Sequence, residues 1–118
     1  MAIGDTYTDA GAGKVSALLA SQTWWVQTGI GETLPTKSDT AMADVTGCPG
    51  RVQAVVSQPQ PDTLAITAIV AYPGALSVTE LGVFDAEVGG VLFQHHGFVA
   101  IAVVGGTALE FTVTHRQG

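Results

Sequence analysis

His95 and His96 have the widest chemical repertoire of any residues in this chain, since imidazoles bind metals and carry protons near neutral pH. The run around them, Leu92-Phe-Gln-His-His-Gly-Phe98, reads as a strand. Adjacent strand residues point to opposite faces, so the pair does not chelate one ion together. A metal centre would need one of them plus His115 and a carboxylate such as Glu80 or Glu110 from other strands, and neither a metal nor any other cofactor is expected. Glu80, Asp85 and Glu87 are the nearest approach to the paired carboxylates of glycoside hydrolysis. Glu80 and Asp85 have opposite strand parity, however, and Asp85 and Glu87 fall in a turn, where acidic residues are common. Cys48, in Thr-Gly-Cys-Pro-Gly, has no His or acidic neighbour to activate it and reads as a small half-buried thiol. No Gly-x-Ser-x-Gly elbow or phosphate-binding loop is present. Gly29-Ile30-Gly31 starts like a dinucleotide fingerprint, but Glu32-Thr33-Leu34-Pro35 replaces the continuation with an anionic, proline-containing loop. The chain is expected to be non-enzymatic.

Two features point to packing instead. Leu76–Phe84 carries apolar groups on both parities, with Glu80 set among them, so this strand requires cover on both sides. In a chain of this size the second cover is expected from another subunit, which makes Leu81 and Val83 interface candidates. A carboxylate at Glu80 must find partners, either Arg51 or Arg116 or a set of backbone amides, and its role is expected to be structural. Trp24 and Trp25 are neighbours on a strand, so one enters the core and the other meets solvent or a partner. Both are interface candidates, as are His95 and His96. A glycan stacked on either tryptophan is the alternative in a different functional class.

The composition agrees with assembly. Hydrophobic residues make up 47% of the 118 and charged residues only 12%, against roughly a quarter in an ordinary soluble domain. Such a surface is better satisfied when copies cover one another. The formal net charge is −6, with Lys14, Lys37, Arg51 and Arg116 scattered, so nucleic acid, which needs a basic stripe, is excluded as an expected partner. The N-terminal Met-Ala-Ile-Gly-Asp-Thr has no basic region leading into an apolar run, and no stretch approaches the roughly 20 apolar residues of a membrane-spanning helix. The chain is expected to be made in a cytoplasm and to remain soluble there, without membrane partners.

These residues must be positioned by a single domain over 1–118, with 1–12 as an N-terminal arm. Thr8 or Asp9 caps a short helix through Lys14–Ala20, with Val15, Leu18 and Leu19 as its apolar stripe. Thr23–Ile30 reads as a strand, and Ser38-Asp39-Thr40 as the cap of a brief helical turn through Met42. After the breaker Gly47-Cys48-Pro49-Gly50 the pattern is β. Arg51–Ser57 is stopped by Pro59-Gln60-Pro61, and Leu64, Ile66, Ala68 and Val70 share one face of the next strand. Leu76–Phe84 and the strand through His95 follow, then Phe98–Val104. Leu109, Phe111 and Val113 form the apolar face of the last. The expected fold is mainly β, an antiparallel sandwich or barrel, jelly-roll-like, with a short N-terminal helix.

Two segments taken together resemble a family. Val26-Gln-Thr-Gly-Ile-Gly31 followed by Leu34-Pro-Thr-Lys-Ser-Asp-Thr-Ala-Met42, and further on Thr79-Glu-Leu-Gly-Val-Phe-Asp-Ala86, are similar to patterns in small structural proteins of tailed-bacteriophage virions, and Asp9-Ala10-Gly11 and the closing strand occur in the same order. The chain departs from the pattern at Met42, where Leu is usual, at Gly47–Gly50 before Arg51, and in the long turn at Glu87–Gly90. The resemblance implies a virion component, as a capsid decoration or cement protein or as a part of the tail, baseplate or fibre attachment. A short chain without a heptad stalk or repeat suits decoration, a trimer clamping the major capsid protein shell.

Overall fold

The computed structural model describes residues 8–116, so positions 1–7 of the expected arm lie outside the described residues. Residues 9–12 of that arm belong to a helix instead. Thr8 is the N-cap of α1 (Asp9–Ala20), its hydroxyl accepting from the Gly11 amide at 3.0 Å. The helix thus starts well before Lys14, and its buried face is Ala12 and Ser16, four residues apart. Of the expected stripe, Leu18 is exposed and Val15 and Leu19 are half-buried. Small residues lie underneath because the helix packs closely on two strands of a sheet, where Leu at those positions would not fit. At the helix end the Trp24 indole donates to the Leu19 carbonyl at 2.8 Å.

Among the described residues seven strands follow: β1 (Trp25–Gly29), β2 (Val52–Gln53), β3 (Val55–Gln60), β4 (Thr63–Ala71), β5 (Leu76–Phe84), β6 (Leu92–Val103) and β7 (Ala108–Arg116). They form two antiparallel sheets, β2-β1-β5-β6 and β3-β4-β7, a sandwich and not a closed barrel. The alternation of β4 is as expected, with Leu64, Ile66, Ala68 and Val70 all buried. They meet Val26, Leu81 and Val83 in one cluster and Tyr72, Val78 and Val103 in a second. The Tyr72 hydroxyl shares a buried 2.8 Å hydrogen bond with Thr28, a polar pin between the sheets. Ala54 is where the chain leaves one sheet for the other.

Two expected breaks are placed differently. β3 continues through Pro59 to Gln60, which its position at the sheet edge permits because, among the described residues, no partner needs the missing amide. Residues 38–42 contain no helical turn. There Asp39 accepts from the Thr36 amide and hydroxyl, both at 2.8 Å, and the Thr36 carbonyl accepts from the Asp39 amide at 3.2 Å, closing a local turn in place of a cap.

Candidate functional site

The register of β5 against β6 shifts between Val78 and Glu80. That slip lets Val78 face the core on one side of it and Leu81 and Val83 on the other. Glu80, Gly82 and Phe84 are left on the outer face of the four-stranded sheet. Their cover is not a second subunit. It is the connection from β1 to β2, residues 30–51, which runs over them as a strap without helix or strand. Met42 packs so closely on Gly82 that a Cβ there would strike its sulfur. The Arg51 guanidinium lies 3.5 Å above the Phe84 ring.

Glu80 fastens the strap. It is 2% exposed, and its two oxygens accept from the amides of Gly31 (2.7 Å), Ala43 (2.9 Å) and Asp44 (2.9 Å). Of the expected alternatives, backbone amides are the partners and the arginines are not. Arg51 donates to the Ala86 and Gly89 carbonyls at 2.8 and 2.7 Å and braces the turn between β5 and β6, while Arg116 reaches Asp62 at 3.4 Å on the surface. Gly31 is required at its position because a Cβ would overlap the Glu80 carboxylate and Ala43.

His95 completes the set. Its ring bridges two carboxylates, Nε2 lying 2.7 Å from Glu80 and Nδ1 lying 2.7 Å from Asp39, and its side chain is 6% exposed. Ionised carboxylates only accept, so a ring that hydrogen-bonds to both of them carries a proton on each nitrogen, as an imidazolium. Burial alone would lower the His95 pKa; the hydrogen bonds to Asp39 and Glu80 outweigh it and leave the pKa above the ordinary value. Burial likewise would raise the Glu80 carboxyl, but the Ala43 amide, His95 and the other amides hold it below the usual carboxylate range. Asp39 is lowered to about 2, first by the Thr36 amide and then by His95.

This arrangement binds a loop. While the ring is doubly protonated and donates to both carboxylates, neither nitrogen has a lone pair to take a proton from a hydroxyl or thiol. The Cys48 thiol is pushed up by burial and by the charges of Asp44 and Glu80, which keeps it protonated. Asp39 and Glu80 sit on opposite sides of the ring, and among the described residues no group of three His, Cys, Asp or Glu side chains is arranged to hold a metal ion. Likewise, no helix among them is long and apolar enough to cross a membrane.

The remaining candidates are dispersed. Trp24 is in the core, tilted against Phe93 at 4.5 Å, and Trp25 is half-buried on β1 opposite Gln53 and Phe84. Leu81 and Val83, expected at an interface, are 3% and 0% exposed within the chain's own core, because the slip turns them toward β4. His96 points away from His95, as strand alternation requires, and is exposed, 2.9 Å from the Gln94 side chain. Gln94 also contacts His115 at 2.6 Å. Sequence reading missed Asp39, which is distant from His95 along the chain and sits in a Ser-Asp-Thr run that mimics a helix cap.

Beyond this site the second half of β6 is the most exposed apolar feature. Val99 is 91% exposed and Ile101 38%, Val104 just past the end of the strand is 65% exposed, and Leu34 of the strap is at 82%. Leu34 and Val99 line one groove together with Phe98 and Pro35. Compared with known protein families, with curated proteins and with solved structures, the chain matches none.

Proposed function

We propose that the chain is a non-enzymatic structural subunit of a tailed-phage virion, foremost a capsid decoration or cement subunit that binds the assembled shell of the major capsid protein. The observation that carries this reading is the exposed apolar surface of Leu34 and Val99, which line one groove. It is continuous with Gly97–Leu109, a stretch without a single charged residue in a chain of net charge −6. An exposed apolar surface of this kind is stabilised by being covered, and its neutrality permits contact with other copies or with shell subunits without like-charge repulsion. The resemblance of the 26–42 and 79–86 segments to small phage virion proteins supplies the setting. The occupied imidazole of His95 supports a role other than catalysis.

The test is where the chain sits in purified particles. A density map with the domain repeated over the shell supports decoration, and a position at the tail or baseplate moves the role there. Particles that lack the chain overturn the virion reading. Light scattering on the free chain should return about three times the 12.0 kDa protomer, for the trimer we expect. Glycan binding that depended on Trp25 would replace both with a carbohydrate-binding module.

A further inference from the structure

The geometry points to a proton-operated latch: an imidazolium at His95 that donates to both Asp39 and Glu80 fastens the strap across β5, and loss of one of its protons to solvent unfastens residues 36–42, up to the amides of Ala43 and Asp44 that Glu80 holds. Glu80 and Asp39 offer only lone pairs to the ring, at 2.7 Å each. A neutral imidazole has one N–H, so one of these short contacts would become lone pair against lone pair at a ring whose side chain is 6% exposed. Neither carboxylate can take up the proton to relieve it. Glu80 is committed to three amides, and Asp39 to the Thr36 amide and hydroxyl. The strap is the part free to move, since Asp39 belongs to a loop exposed on both sides of it, whereas Glu80 and His95 are on adjacent strands of one ladder.

The other ionisable groups around the site are few. Lys37 on the strap and His96 on β6 line the shallow depression over the ring together with Asp39. Asp44 and Cys48 lie on the far side of Glu80. Release would lift Met42 from Gly82 and so add part of the outer face of β5 to the apolar surface already exposed, while Arg51 stays over Phe84 on the Ala86 and Gly89 carbonyls. The latch stands on these contacts alone, whether or not the chain serves in a virion.

The test is amide hydrogen exchange on the full chain at about pH 5.5 and about pH 9, corrected for the intrinsic pH dependence of exchange. Peptides covering 36–42 should exchange at least about tenfold faster at the higher pH while those covering β4 keep their protection, and the midpoint should coincide with the titration of the His95 ring followed by NMR. Cleavage at Lys37 by a lysine-specific protease, normalised to an unstructured peptide at each pH, should rise in parallel. In His95→Gln the strap should exchange as fast at the lower pH as the unaltered chain does at the higher. If that variant also loses protection in β4, the pH series on the unaltered chain decides. Strap exchange that does not change with pH, that rises together with β4, or that follows a midpoint other than that of His95 overturns the latch.

Discussion

The two halves of β6 share a strand and a sheet position, yet they are used in opposite directions. In Leu92–His96 the side chains are engaged within the molecule: Phe93 against Trp24, Gln94 with His115, and His95 between two carboxylates. In Gly97–Val103 only Val103 is buried and Phe98 half-buried, and the rest, Val99 above all, faces solvent. The boundary coincides with the register shift opposite Thr79, where β6 has more residues than β5 needs. The extra residues bulge the strand there, and beyond the groove it lines with Leu34 and Pro35 the second half is left uncovered. One strand thus holds the domain together at one end and offers contact at the other.

The comparison breaks most sharply at Glu80. Glu80→Gln removes the charge and sets an amide donor against strap amides and His95, at a cost of about 3–5 kcal/mol, read from urea unfolding near pH 6. A loss below about 1 kcal/mol would mean that Glu80 does not hold the strap. Leu81→Ala, in the core facing β4, should cost about 2–4 kcal/mol. Val99→Ala in the exposed half should stay within about 0.5 kcal/mol, and Val99→Asp should likewise leave stability nearly unchanged while lowering the mass measured by light scattering. A large loss at Val99 would erase the distinction between the halves.

The pH dependence sharpens it. The contribution of His95, whose pKa is raised by Asp39 and Glu80 against the effect of burial, is fully present below its ordinary value of 6.5 and is lost as pH rises through the higher folded value. Glu80 and Asp39 are lowered, so their contributions are present above the ordinary 4.5 and 3.8 and are lost on acidification, for Asp39 through about 2. Urea midpoints should therefore be highest between about pH 4.5 and 6.5 and should fall on the alkaline side. His95→Gln should flatten that alkaline fall, and Val99→Ala should not. The smallest effect lies away from β6. Among the described residues the buried Ser16 hydroxyl has no hydrogen-bond partner, so Ser16→Ala should stabilise the chain by about 0.5–1 kcal/mol.

Much of the fold is legible in the sequence because β4 and β7 alternate cleanly: Leu64, Ile66, Ala68 and Val70 on one, Leu109, Phe111 and Val113 on the other. The double-sided burial of β5 is legible too, but not what covers it. Period-2 patterns say that a face is apolar; they do not say whether a loop of the same chain or another molecule lies on it. Glu80 is conspicuous as a carboxylate in an apolar strand, and its amide partners are among the options its chemistry allows. Asp39 is not legible, because its partner is a tertiary neighbour and its local sequence serves a turn as readily as a cap. Leu81 and Val83 belong to the core and not to an interface, a difference that parity counting misses because a register slip is invisible to it.

The strap also has a bearing on time. The amides it presents to Glu80 lie 36 to 49 residues away along the chain, and they converge only once β5 has been seated against β1. Contacts that close such long loops form late on the way to the native state. Changes at Glu80 or Gly31 should then leave the rate of folding almost untouched and accelerate unfolding, so that the lifetime of the folded domain, more than its formation, is set by how long the strap stays down.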